Sequence, residues 1–455
     1  MTVRKLFVAN RGEIALRIIR AAQALNIETV LGVSDADRDS AGARLADRAV
    51  VLGPGPAAKS YLDPRLVVHA AKATGCDALH PGYGFLSERA ILPRLCGEYD
   101  IAFAGPDADM IDALGDKIRA RALAKAAGVP LVPGSDEIAS AADARREADR
   151  LGYPVLLKAA AGGGGRGMVI ANNGDEVEAG FNRASAEALA AFNDSTLFME
   201  VFVPEARHIE VQLMGDGKGK VVHFGERDCS VQRRYQKLIE EAPCTALPQD
   251  LREELHSAAV SLAASVDYRN AGTAEFLYDV ERGKIYFIEV NARIQVEHPV
   301  SEMICGFDLV QEQLRIAGGA PLSVSQDQVR STGHAIECRI NAEDVGRGFI
   351  PVPGRVTRWS PPEGEGIRID THISDGAMIP PFYDSMIGKL IVHAAARDAA
   401  VAKLGDALAA FEVEGVPTTI PLHRKIVRHP DFIANRIHTR WLEQVVLADE
   451  IAAAE

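Results

Sequence analysis

Short apolar runs alternate with amphipathic stretches over the first hundred residues, and this alternation constrains the fold more than any other feature. Leu6–Ala9 reads as a buried-type strand. Glu13–Leu25 places Ile14, Ile18, Ala22 and Leu25 on one helical stripe. Thr29–Val33, Ala78–His80 and Ile101–Ala104 read as further strands, with helical segments such as Leu66–Ala73 between them. Strands separated by helices pair in parallel, so a doubly wound, mostly parallel α/β unit is predicted, closed by Gly105-Pro106.

The pattern then changes twice. A helix with Lys117 near its start runs to about Ala127 and ends at Gly128-Val129-Pro130. Residues 131–203 read as a helix, the strand Val155–Lys158, a glycine run, the strand Met168–Ile170, a helix near 175–191 and the strand Leu197–Val203. A more β-rich stretch follows: His208–Leu213, Val221–Glu226, Gly272–Asp279 and Lys284–Asn291, interrupted by a helix around Leu251–Val266. After Gly318-Gly319-Ala320-Pro321, residues 334–445 read as short strands with Pro/Gly turns, then two helices. With 455 residues, about three domains are expected: 1–115, 116–330 with a subdomain at about 131–203, and 331–447, before a tail at 448–455.

Composition sets the outer limits. At 47% hydrophobic and 25% charged, the chain can bury a substantial core and is not disordered. Fifty basic against 63 acidic residues give −13, which excludes a whole-chain nucleic-acid footprint. No run of about 18 apolar residues exists, so no membrane span is expected. The apolar run at the start is too short for a signal peptide, and six scattered cysteines form no C-x-x-C pair. Reduced thiols in a cytoplasmic protein fit this usage.

Gly162-Gly163-Gly164-Gly165-Arg166-Gly167 contains a formal G-x-G-x-x-G, but a strand follows it where a dinucleotide site needs a helix. A strand–loop–strand hairpin fits better, with amides free to fold over phosphates as a lid; an ordinary surface loop is the alternative. No Gly-Lys pair is followed by Ser or Thr, which excludes a Walker A loop. Lys158 closes the apolar strand before the glycines, and Lys117 opens an earlier helix; both suit phosphate oxygens.

The acidic hairpin is the most informative stretch. Strand alternation over Lys284–Arg293 puts Ile285, Phe287, Glu289, Asn291 and Arg293 on one face. With Val280–Gly283 as the turn and Leu277 opposite Phe287, Glu275 faces Glu289. Opposed carboxylates repel unless something neutralises them. Two carboxylates and an Asn oxygen suit Mg²⁺ or Mn²⁺; a one-residue slip would leave one glutamate solvated. Gln232-Arg233-Arg234-Tyr235-Gln236-Lys237 reads as an anion-holding stretch or as a solvated face. His208 and Glu210 share a strand face, and a lone His there is as readily structural as functional. No G-x-S-x-G elbow and no H-E-x-x-H occurs.

The segment Arg293-Ile294-Gln295-Val296-Glu297-His298-Pro299 resembles the biotin carboxylases, the ATP-grasp component of biotin-dependent carboxylases. The resemblance spans nearly the whole chain, from Ala9–Ala15 and His80–Glu88 through Gly115–Lys117, Glu226–Ser230 and Glu240–Pro243 to Glu337–Asp344 and Asp384–Leu390. It implies an N-terminal Rossmann-like (pre-ATP-grasp) domain, an ATP-grasp domain with a mobile glycine-rich lid, and a β-rich C-terminal biotin carboxylase domain.

The resemblance also implies roles. Lys117, Lys158, Gly164, Gly165, Glu200, Val201, Phe202, Val203, His208, Gln232, Tyr235, Glu275, Leu277 and Ile437 match residues around ATP. Glu275, Glu289 and Asn291 match ligands of one or two Mg²⁺ or Mn²⁺ ions. Lys237, Arg293, Gln295 and Val296 match the bicarbonate site, Arg339 and Tyr83 the biotin site, and Glu297 the general base. Catalysis would rest on Glu297, Arg293, Arg339 and Lys237. Two departures stand out. Tyr235 occupies a position where the family usually has His, and Ala161 one where some relatives have glycine. A modest change in nucleotide affinity is expected from the first, and none in lid function from the second.

None of the eight methionines precedes a lysine, unlike the turn that carries biotin in acceptor domains. The resemblance therefore implies biotin on a separate carboxyl carrier protein, with carboxyltransferase subunits as further partners and a homodimer as the assembly. The implied reaction is the first half of an acetyl-CoA or other acyl-CoA carboxylase. Another ATP-grasp carboxylate–amine ligase would share the lysines and carboxylates but not Arg293–Pro299. A non-catalytic nucleotide-binding module would be expected to lack Glu297, Lys237 or Arg339, and all three are present.

Overall fold

The computed structural model of the chain describes residues 2–160 and 168–448. Five parallel strands form the N-terminal sheet, in the order Arg48–Gly53, Glu28–Ser34, Lys5–Val8, Ala78–His80, Ala102–Phe103. The first strand lies at the centre and later strands add on both sides, which is the doubly wound arrangement the alternation predicted. The Arg48–Gly53 strand is absent from the sequence reading. It sits at an edge, with only Leu52 fully buried, so its hydrophobic pattern is faint.

Residues after the Lys117–Ala126 helix pass into a small three-stranded antiparallel sheet, Met168–Ala171, Val155–Ala159 and Leu197–Val201. Helices Ala141–Leu151 and Gly174–Phe192 pack on it. Ser140 caps the first by accepting from the Asp143 amide, and Asn173 caps the second by accepting from the Glu176 amide. Lys158 pairs with Met168. The glycine run 162–167 therefore connects two antiparallel strands of one hairpin, which disposes of the dinucleotide fingerprint; Ala161, Gly164, Gly165 and the rest of that run lie outside the described residues.

The largest element is an antiparallel eight-stranded sheet. Its order is Lys284–Asn291, Arg269–Asp279, Ala206–Asp216, Val221–Arg233, Gln236–Ala242, His334–Asn341, Met386–Ala394, Ile367–Thr371. Gln236–Ala242 pairs with His334–Asn341, with Glu240 opposite Glu337, so the sheet crosses position 330 unbroken. The core under its far half mixes Val231, Leu238 and Ile239 with Ile336, Ile340 and Leu390. Among the described residues no helix is long and apolar enough to cross a membrane.

Candidate active site

A cleft of about 630 Å³ opens between the small sheet and the eight-stranded sheet. That volume suits a small-molecule substrate or cofactor. Its walls bring together Lys117, Lys158, Glu200, Val201, Phe202, Val203, His208, Gln232, Tyr235, Lys237, Glu275, Leu277, Glu289, Asn291, Arg293, Gln295, Val296, Arg339 and Tyr83.

The acidic hairpin reaches this cleft by a device the sequence reading lacked. Glu275 does pair with Glu289, but Leu277 pairs with Tyr286, not Phe287, because Ile288 is an extra residue in the outer strand. The bulge reverses the alternation. Ile285, Phe287 and Val290 point into the core, while Ile288, Glu289 and Asn291 face the cleft. The single-face assignment of Ile285 and Phe287 with Glu289 and Asn291 is therefore corrected. Without the bulge, a register that buried Ile285 and Phe287 would have turned Glu289 into the core beside them.

The carboxylates are neutralised by cations of the neighbouring strands. Lys237 Nζ lies 2.6 Å from Glu210, 3.0 Å from Glu275 and 2.7 Å from Glu297. Burial opposes its charge, but the three carboxylates hold its pKa well above the ordinary lysine value. Arg227, fully buried, donates to Glu210, to Gln212 at 2.7 Å, to Ser301 at 3.0 Å and to Thr273 at 3.2 Å. His208 Nε2 sits 3.0 Å from the other oxygen of Glu275. Burial alone would raise the Glu275 pKa; Lys237 and His208 instead hold it well below the carboxylate range.

Glu297 sits behind the cleft wall, with no exposed surface. Its two oxygens accept from Lys237 and, at 3.0 Å, from Arg339 Nη2. Burial is again outweighed, and Lys237, Arg339 and Arg227 keep it ionised with its pKa well below the usual range. Arg339 Nε donates to Glu240 at 2.6 Å. Burial pushes Glu240 up to about 7, against Arg339 and with help from Glu297. Arg293 donates to Glu88 at 2.8 Å, Gln295 at 2.6 Å and Asn291 at 2.9 Å, and Gln295 donates to Glu275 at 3.2 Å. Two guanidinium groups and one ammonium thus converge on one corner, a geometry suited to a small planar anion.

The other end of the cleft is built for a polyanion with a flat base. Lys158 and Arg121 both donate to the buried carboxylate of Glu200. Lys117 lies 3.0 Å from Glu289. Glu200–Val203 runs from the end of a small-sheet strand along the cleft wall. Arg234 and Tyr235, both with positive φ (46° and 64°), form the two-residue turn between the strands carrying Gln232 and Lys237.

Ile437 is not brought to the cleft. It packs at 5% exposure in the C-terminal core with Phe432 and Trp441, and Thr439 lines the wall instead, its amide bonded to the Ala206 carbonyl at 2.9 Å. Glu210, Arg227, Glu240, Glu88 and Arg121 were not singled out as site residues. The alternation of His208 with Glu210 points to one of them, and Glu88, Arg227 and Glu240 lie within the segments that carry the resemblance.

Hard oxygens at Glu275, Glu289 and Asn291 fit a divalent cation. The ammonium of Lys117 on Glu289 and the Arg293 guanidinium on Asn291 mark where positive charge is wanted.

A family model of the biotin carboxylase N-terminal domain matches residues 2–111. One of the carbamoyl-phosphate synthase L chain ATP-binding domain matches 116–325, and one of the biotin carboxylase C-terminal domain matches 337–444. The chain is 47% identical to biotin carboxylase 1 of Bacillus subtilis over 97% of its own length and 98% of the relative's. The fold matches a biotin carboxylase–β,γ-ATP complex from Campylobacter jejuni with a TM-score of 0.94 at 43% identity, covering 97% of this chain and 99% of that one. It also matches the biotin carboxylase domain dimer of Hydrogenobacter thermophilus 2-oxoglutarate carboxylase, solved with MgADP, ADP and bicarbonate. That match has a TM-score of 0.94 at 46% identity, over 98% of each chain. The chain belongs to the biotin carboxylase family.

Proposed function

We propose that this chain carboxylates biotin with ATP and bicarbonate through carboxyphosphate, using the residues gathered above. The observation that carries the reading is the meeting of Glu210, Glu275 and Glu297 on Lys237, with Arg339 shared between Glu297 and Glu240, across the cleft from Lys158.

Bicarbonate binds between Lys237, Arg293, Gln295 and the Val296 amide. Lys237 cannot serve three carboxylates and an added anion equally, so the anion draws it off Glu297. That loss raises the basicity of Glu297, which accepts the bicarbonate proton. The freed oxygen attacks the γ-phosphorus; the new O–P bond forms as the bond to the bridging oxygen breaks, leaving ADP. Lys158 and Lys117 hold the phosphoryl oxygens, and His208, Gln232, Tyr235, Leu277 and Glu200–Val203 hold the nucleoside. Mg²⁺ or Mn²⁺, held by Glu275, Glu289 and Asn291, would supply phosphate charge neutralisation. Carboxyphosphate breaks into CO₂ and phosphate, and the phosphate takes the ureido proton of biotin. Arg339 stabilises the ureido oxygen, Tyr83 lines the biotin side, and the ureido nitrogen attacks CO₂. Closure of the small sheet over the cleft would exclude water that consumes carboxyphosphate.

The biotin is proposed to arrive on a separate carboxyl carrier protein in the cytoplasm and to pass its carboxyl group to carboxyltransferase subunits, with acetyl-CoA or another acyl-CoA as acceptor. A homodimer is proposed by likeness to the dimeric Hydrogenobacter domain.

The test is ADP release from Mg²⁺-ATP with and without bicarbonate and free biotin, alongside Glu297→Gln. Release should require bicarbonate, rise with biotin, and fall by about 10²–10⁴ in the variant. Release indifferent to biotin but stimulated by an amine would refute the reading.

A further inference from the structure

Behind the bicarbonate wall lies an ammonium group that no role above uses. Lys389, on the Met386–Ala394 strand, has no exposed surface. Its Nζ donates to the Val296 carbonyl at 2.8 Å and lies 3.2 Å from Glu13, with Asp370 at 3.9 Å. Glu13 in turn accepts from the Tyr83 hydroxyl.

The same turn is held from its other side. His298 Nδ1 lies 2.7 Å from the Gln295 carbonyl oxygen. Burial, then Lys389, Arg17 and Arg368, hold the imidazole pKa well below its ordinary value, so the ring is neutral and its one proton sits on Nδ1, facing that carbonyl. The C=O and N–H of one peptide point in opposite directions. Fixing the Gln295 carbonyl inward therefore turns the Val296 N–H toward the cleft that Val296 lines. Among the described residues that N–H donates to no protein acceptor.

We propose that Lys389 and His298 are positioning residues that clamp the Gln295–Val296–Glu297 turn from behind and aim the Val296 amide at bicarbonate. Through Glu13, Lys389 also ties this turn to Tyr83 on the biotin side. The inference rests on the reading of the cleft as a bicarbonate and biotin site. It goes beyond that reading by assigning two groups that touch neither substrate.

The test separates KM values for the three substrates in the full-length enzyme. His298→Phe removes the donor to Gln295 and should raise the bicarbonate KM at least tenfold, with the KM for ATP changed less than threefold. His298→Asn keeps an N–H at nearly the same place and should restore the bicarbonate KM to within threefold of wild type. Lys389→Met should raise the KM for both bicarbonate and biotin at least fivefold, because it cuts both links. If Lys389→Met does not fold, the His298 pair decides. Unchanged bicarbonate KM in His298→Phe, or no rescue by Asn, would overturn the inference while wild-type ADP release stayed bicarbonate-dependent. Wild-type release that ignores bicarbonate would instead overturn the functional reading and this inference with it.

Discussion

The two sheets that enclose the cleft each present a lysine to it, yet they treat charge in opposite ways. On the small sheet's helices, Arg145 meets Asp175 and Glu178 at 3.1 and 3.0 Å, and Arg150 meets Glu147 at 2.8 Å, all with side chains between 36% and 91% exposed. Its core is built largely from small residues, among them Ala144, Ala148, Ala171, Ala184 and Ala188. In the eight-stranded sheet, Arg227 and Glu210 have no exposed side-chain surface, and Lys237 is 11% exposed among three carboxylates. Solvated pairs contribute little and re-form anywhere; buried ones fail badly when one partner is lost. The small sheet's helices are therefore held with little help from charge, while the large sheet holds a fixed electrostatic template. A buried cluster of the small sheet, Glu200 with Lys158 and Arg121, sits where it joins the body.

This contrast can be broken by three measurements. The largest effect is expected from Lys237→Met. It strands Glu210, Glu275 and Glu297 without their shared cation, costing about 3–5 kcal/mol in denaturant unfolding and removing bicarbonate-dependent ADP release. A variant as stable as wild type would mean that the template is not held by its charges.

The second effect is a pH dependence of a few kcal/mol at most, from Glu240. Its folded-state pKa of about 7 lies above the unfolded value near 4.5. The folded protein therefore keeps a proton that the unfolded chain releases. That stability is fully present below about pH 4.5 and is lost as pH rises through 7. Glu240→Gln lacks this loss, so the melting temperature of the variant relative to wild type should climb between pH 5 and 7.5. A constant difference across that window would place Glu240 among ordinary ionised carboxylates.

The smallest effect belongs to the small sheet's helices. Arg145→Ala should cost less than about 1 kcal/mol and leave every KM within twofold. A loss comparable to that of Lys237→Met would erase the distinction between the two sheets.

Much of this was legible in the chain. The strand–helix alternation predicted the parallel N-terminal sheet, and the strands flanking the glycine run predicted a hairpin. Opposed glutamates were readable at 275 and 289 because a short turn at Val280–Gly283 limits the register. The route to that pairing was not readable. The bulge at Ile288 leaves no compositional mark, since Ile fits a strand in either phase. The burial of Arg227 together with Glu210 was unreadable for another reason: a charged residue in a strand ordinarily signals a solvated face, and only the partner strand reveals that both are buried together. Ile437, matched by resemblance to a residue around ATP, packs into the C-terminal core, a placement that only the tertiary structure decides.

Local chemistry, then, determined the element types, the lysines and carboxylates suited to phosphate and metal, and the Arg293–Pro299 segment by which the family is identifiable. Tertiary structure alone decided which charges neutralise which. Arg339 and Glu240 lie 99 positions apart and Arg339 and Glu297 lie 42 apart, brought together by the register of the large sheet and the turn packed on it. Pairings of that range depend on strand order and register, which are set by burying whole faces at once and are written in no single segment.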